Sequence, residues 1–161
     1  MELEEIKLLG YINLGNKAYA IDPCYDLEQV RRDCLISNVK SGLFVCHLVI
    51  CDAGAWGKRV KSISVSSVDN KDVISHTDKF LTGVDSGQCG IFDSKYYEDN
   101  HDANSKNEWY NRVCDITQDN FGGNIDNAGT VSRAGFGDGC YEVVVERNSF
   151  GKAVEIEIIF I

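Results

Sequence analysis

Cys140-Tyr141-Glu142-Val143-Val144-Val145-Glu146-Arg147 and Lys152-Ala153-Val154-Glu155-Ile156-Glu157-Ile158-Ile159-Phe160, bracketing Asn148-Ser149-Phe150-Gly151, decide the fold class. In the second segment Val154, Ile156, Ile158 and Phe160 fall on one face and Glu155 and Glu157 on the other. That is the period of two of a strand with one buried face. The intervening residues suit a turn, so the pair reads as a C-terminal β-hairpin. Upstream, Leu43-Phe44-Val45-Cys46-His47-Leu48-Val49-Ile50-Cys51 is nearly continuous in apolar, β-rich residues between Gly42 and Asp52, and reads as a central strand. His47 within that run reads as a hydrogen-bonded core imidazole ahead of a catalytic one. Val60 to Val68 is more polar and reads as an outer strand. Tyr11 to Leu14 and Lys17 to Ile21 flank Gly15-Asn16, which predicts a tight hairpin, and Pro23 then ends the second strand.

Helical signals are fewer. Asp26 with Gln29 predicts a short capped helix whose buried face carries Leu27, Val30 and Cys34. Lys106 to about Gln118 predicts a longer one, with Ser105 and Glu108 as capping box and Trp109, Val113 and Ile116 as its core stripe. Glu98 to Ser105 is polar and reads as a surface loop. There is no βαβ alternation and no repeat. The expected fold is therefore mainly β (β-rich α+β): an antiparallel sandwich or rolled sheet with one or two short helices and the C-terminal hairpin, as a single domain over 1–161.

Composition narrows the function classes. The chain opens without a basic region leading into an apolar stretch, and no run approaches the roughly 20 apolar residues of a membrane helix, so it reads as cytoplasmic, with no membrane partner. Seven cysteines at wide spacings, an odd number, read as reduced thiols rather than a disulfide framework. No Cys-x-x-Cys is present to suggest zinc, and no cofactor is indicated. With 25 acidic against 16 basic residues, the net charge of −9 argues against duplex nucleic acid, which needs a positive field. A small anionic ligand needs only a few local cations, for which Lys58, Arg59, Lys61, Arg133 and Arg147 are the candidates, each read first as a solvated surface charge.

Three loops rich in Gly, Asp and Ser each adjoin an expected strand: Asp22-Pro23-Cys24-Tyr25, then Gly83-Val84-Asp85-Ser86-Gly87-Gln88-Cys89-Gly90, then Ser132-Arg133-Ala134-Gly135-Phe136-Gly137-Asp138-Gly139-Cys140-Tyr141. Glycine lets a backbone approach a ligand, and the short polar side chains supply donors and acceptors. The same residues are also what tight turns prefer, and for each loop taken singly turn chemistry is the leading explanation.

Val84-Asp85-Ser86-Gly87 followed by Asp93, and the Ser132 to Tyr141 stretch ahead of a terminal hairpin, resemble an uncharacterised bacterial and bacteriophage family, domain of unknown function 4241. The similarity covers about the second half of the chain, with Asp22 to Tyr25 a weaker match. It implies a compact β domain of microbial or phage origin and brings no established reaction.

Three functions follow. Ranked first is a small-ligand-binding protein, of the phage type that sequesters a nucleotide-derived defence signal. In it Asp85, Ser86, Gln88 and Asp138 would hydrogen-bond sugar hydroxyls or base edges, with Asp22 in the same loop set. Arg133 would meet a phosphate, and Tyr25 or Tyr141 would stack. Second is a hydrolase, using Asp85, Asp93 and Asp138 around Mg²⁺ or Ca²⁺, or Cys24 or Cys89 with His47 or His76. Third is an acidic protein-interaction module, an immunity protein or inhibitor that steers a basic partner. A homo-oligomer is compatible with each.

Overall fold

The computed structural model describes residues 4–28, 32–69, 71–101 and 106–161. In chain order the elements are β1 (Glu4–Leu14), β2 (Lys17–Ile21), β3 (Leu35–Ser37), β4 (Gly42–Asp52), β5 (Lys58–Ser67), β6 (Ile74–Val84), β7 (Gln88–Asp93), α1 (Ser94–Asp99), α2 (Lys106–Asp119), β8 (Gly122–Ile125), β9 (Gly129–Arg133), β10 (Gly139–Asn148) and β11 (Ala153–Ile159). Short 3₁₀ turns occupy Arg32–Cys34 and Gly54–Trp56. Among the described residues no helix is long and apolar enough to cross a membrane.

The strands form two antiparallel sheets, a six-stranded one in the order β1-β4-β5-β11-β10-β6 and a five-stranded one in the order β3-β2-β7-β9-β8. They pack face to face as a sandwich. Phe44, Cys46, Leu48 and Ile50 of β4, Ile63 and Val65 of β5, Val143 and Val145 of β10, and Ile156 and Ile158 of β11 meet Ala18, Ala20, Cys89 and Ile91 of the other sheet in one buried cluster. A second cluster covers the opposite side of the five-stranded sheet, where Tyr19, Ile21, Phe92 and Val131 receive Tyr97 of α1 and Trp109 and Val113 of α2. The mainly β expectation is met, with three layers in the order open sheet, covered sheet, helices.

The C-terminal hairpin is the expected one. β10 pairs with β11, Val145 lies opposite Ile156, and Asn148 closes the turn by accepting from Phe150 and Lys152 amides. α2 also falls as expected with Trp109 and Val113 buried, while Ser105 of the capping box lies outside the described residues.

Other expectations need correction. Gly15-Asn16 does not turn a hairpin, because β1 pairs with β4 in one sheet and β2 with β3 and β7 in the other. The dipeptide instead carries the chain between sheets. β5 is no outer strand but lies between β4 and β11, and its polar Ser64 and Ser66 face water while Ile63 and Val65 face the core. Polarity there marks an open face, not an edge. For the same reason His47 is half-buried on that open face, opposite Leu8 and Ser64, and is no core imidazole. Of the helix expected from Asp26, the described Asp26 to Glu28 form a turn in which Asp26 accepts from the Glu28 amide, Leu27 is exposed and Cys34 is buried in a 3₁₀ turn, while Gln29 and Val30 lie outside the described residues. Part of the expected surface loop is helical instead, since Asp93 caps α1 through the Tyr96 amide.

Candidate functional site

A sandwich built from one chain must pass from sheet to sheet, and each passage leaves backbone groups that no ladder pairs. Here the Asp residues of the three sequence loops occupy those passages. Where β6 leaves the six-stranded sheet for β7, Asp22 lies fully buried at the end of β2. Its Oδ2 accepts from the amides of Asp85 and Ser86, each at 2.8 Å, and its Oδ1 from the Ser86 hydroxyl at 2.6 Å and the Cys24 amide at 2.8 Å. One carboxylate thus satisfies three backbone donors and a hydroxyl, an anion held in a nest of amides. Asp138, on the return passage from β9 to β10, accepts from the Gly87 amide at 2.8 Å. Asp93 accepts from the Gly15 amide at 2.7 Å and so fastens the β1–β2 passage.

Above this knot lies a cleft of about 940 Å³, lined by Tyr25, Glu28, Asp33 and Cys34, the β6 end, and Asp138 with the start of β10. Its described lining carries the carboxylates of Glu28, Asp33, Asp85 and Asp138, the Tyr25 ring and the thiols of Cys34 and Cys140, with no lysine or arginine. Tyr25 donates its hydroxyl to Asp85 Oδ2 at 2.5 Å, and burial, reinforced by that carboxylate, raises the phenol's pKa. Tyr25 stays protonated and fixes the direction in which Asp85 presents its remaining lone pairs. The exposed Asp85 and Asp138 rim the opening.

The residues singled out in the sequence therefore divide. Tyr25, Asp85 and Asp138 face the cleft, whereas Asp22 and Ser86 form the knot below it. Gln88 is buried against α2, where its Oε1 accepts from the Thr117 hydroxyl at 2.6 Å. Arg133 does not reach the cleft. It donates from Nε and a terminal nitrogen to the carbonyls of Thr117 and Gln118 at 2.7 and 2.9 Å, satisfying the C-terminus of α2, and lies over the Phe121 ring. Tyr141 donates to the Gly137 carbonyl and packs edge-on against Phe160, so its ring is engaged from within. Glu28, Asp33 and Cys140 of the lining were not anticipated. Their only sequence signal is position, next to Asp22 to Tyr25 and to Asp138.

The arrangement bears on the chemistry. Among the described residues no three or more His, Cys, Asp or Glu side chains gather to hold a metal ion, and the trio Asp85, Asp93 and Asp138 is not assembled. Asp93 instead serves α1 and the β1–β2 passage. The Cys24 thiol is pushed up to about 12 by burial and by the neighbouring Asp22, and complete burial pushes Cys89 well up too, so neither is a thiolate at neutral pH. His76 pairs with Asp78 on β6, and His47 lies on the open face of the six-stranded sheet. Comparison with protein-family models, curated proteins and solved structures gives no match to this chain.

Proposed function

We propose that the protein binds a small polar ligand in this cleft without turning it over, and that the ligand meets it through hydroxyl or amine groups. The observation that carries the reading is the convergence of Asp85, Asp138, Glu28 and Asp33 on one cavity whose described lining holds no cation. Carboxylates accept hydrogen bonds and attract positive charge, so they favour a polyol, a nucleoside or an amine over a phosphate. The nucleoside end of a nucleotide-derived signal fits this cleft through its ribose hydroxyls and base N–H groups, whereas its phosphates would meet four carboxylates. The size supports the same class, since cavities of about 300–1,000 Å³ hold ligands of small-molecule dimensions. Binding ahead of turnover is supported by the protonated Cys24 thiol and by a described lining without histidine.

Native mass spectrometry of the purified protein before and after denaturation tests the reading, with the released molecule identified and then returned in excess for a day. The expected result is an intact ligand bearing hydroxyl or amine groups, retained by the native protein and weakened about tenfold or more by Asp85→Asn or Asp138→Asn. Conversion of that molecule to products overturns binding without turnover. Retention undiminished in both variants overturns the cleft.

A further inference from the structure

A second pair of loops presents the opposite chemistry. The β4–β5 turn is held by Asp52, which accepts from the Gly54 amide at 2.9 Å, and by backbone bonds from Ala53 to Gly57 and from Gly57 to Gly54. Gly54 and Gly57 have φ of +66° and +77°, a region that disfavours other residues. The β9–β10 loop is fixed likewise, with Gly135 and Gly137 at +47° and +113° and a bond from the Gly137 amide to the Ala134 carbonyl. Each loop carries one large aromatic side chain out into water. Trp56 is 69% exposed and Phe136 56% exposed, and their rings meet edge to face at 6.2 Å and 77°.

Arg59 completes the group. Its Nε donates to the Trp56 carbonyl at 3.0 Å and its guanidinium carbon stands 5.6 Å from the centre of the Phe136 ring. Lys58 pairs with Glu5 and Lys61 with Glu4. The terminal nitrogens of Arg59 make no hydrogen bond or ion pair with the described residues, so its fork of donors is oriented and open. Trp56, Arg59 and Phe136 together bound a hollow of about 400 Å³, room for one ring system.

We propose that Trp56, Arg59 and Phe136 form a second binding site, which takes a planar aromatic group carrying a carboxylate or a phosphate. The ring covers the exposed indole and phenyl surfaces, which gain most from an aromatic partner, and the anion accepts from the guanidinium fork. A neutral ring leaves Arg59 unpaired, and an anion without a ring leaves the aromatic surfaces wet.

The test follows the indole N–H signals of the two tryptophans by NMR during titration with AMP, indole-3-acetate, adenosine and ribose 5-phosphate. Trp109 is buried and bonded to the Tyr96 hydroxyl, so its signal serves as the internal control for folding. AMP or indole-3-acetate should move the Trp56 signal saturably and leave Trp109 in place, with adenosine and ribose 5-phosphate about tenfold weaker or worse. Arg59→Gln and Phe136→Ala should each weaken the charged probe by about the same factor, Arg59→Lys by less, and Asp85→Asn not at all. AMP and adenosine binding equally, a Trp56 shift that follows protein concentration instead of probe, or no shift at millimolar probe overturns the proposal. Because the variants and readout differ from those for the carboxylate cleft, failure of either site is scored separately.

Discussion

The two sheets of this sandwich are built to different rules, and the difference explains what each part of the chain is for. The six-stranded sheet has one face in water, so β11 alternates buried Val154, Ile156 and Ile158 with half-buried Glu155 and Glu157. The five-stranded sheet is covered on both sides, by the other sheet and by α1 and α2, and its strands β2, β7 and β9 are buried almost throughout. It achieves close packing with small residues. A Cβ at Gly90 would stand 2.4 Å from the Thr130 carbonyl oxygen, and one at Gly129 would stand 2.4 Å from the Phe92 ring. Glycine that reads as loop chemistry in sequence is here strand chemistry, and aspartate that reads as ligand chemistry fastens the passages between the sheets.

If that division holds, the largest effect should come from a passage residue. Asp22→Ala removes the acceptor of three amides and a hydroxyl at once, leaving several donors without their partner, and should destabilise the fold by about 4 kcal/mol. For a chain of this size that lowers Tm by roughly 10 °C or more. A Tm within about 2 °C of the parent would show that the knot is dispensable and that Asp22 is kept for another purpose. Gly90→Ala should come next, at about 2 kcal/mol, because the clash is with a backbone carbonyl that cannot swing aside. In the open face of the other sheet, Glu157→Gln should stay within about 0.5 kcal/mol. Urea titration of the three variants would measure this order, and a cost at Glu157 comparable to that at Gly90 would refute the contrast between the sheets.

The same contrast sets how much could be read from the sequence. The hairpin of β10 and β11 was legible because a sheet with one wet face writes its orientation into every second residue. β2 and β7 carry no such signal, being buried on both faces, and Lys17 to Ile21 therefore looked like the return arm of a hairpin when it belongs to a different sheet. α1 escaped notice because its cap, Asp93, sits at the end of a strand and its turn is polar except for Tyr96 and Tyr97. Of the residues singled out in the sequence, Tyr25, Asp85 and Asp138 line the cleft, since turn-forming loops at strand ends do gather there. Arg133 lies away from the cleft, and nothing local in the sequence distinguishes an arginine that closes a helix from one that meets a phosphate. Trp56 and Phe136 gave no signal until the fold brought their loops together.

The helix layer offers the most specific test. His101 is buried between Tyr97, on which its ring stacks at 3.8 Å, and Trp109, with Nδ1 2.7 Å from the Tyr97 carbonyl and Nε2 3.2 Å from that of Pro23. Burial holds its pKa below the usual 6.5, outweighing the two carbonyls that favour the imidazolium, with Lys106 lowering it further and Asp26 opposing. The folded state thus prefers the neutral ring more than the unfolded state does. That preference contributes its full stability above about pH 6.5 and is lost as pH falls through the folded pKa. Glu155, whose pKa is raised by burial and by Glu157 and Glu146, acts in the opposite sense, gaining stability on acidification. Wild-type Tm alone would mix the two, so the informative quantity is the difference between wild type and His101→Gln from pH 7.5 to pH 5. The wild type should lose its advantage over the variant as the pH falls, by at most about 1.4 kcal/mol per pH unit. An advantage that is constant with pH would mean that His101 titrates alike in the folded and unfolded chains, and that the helix layer holds it by packing alone.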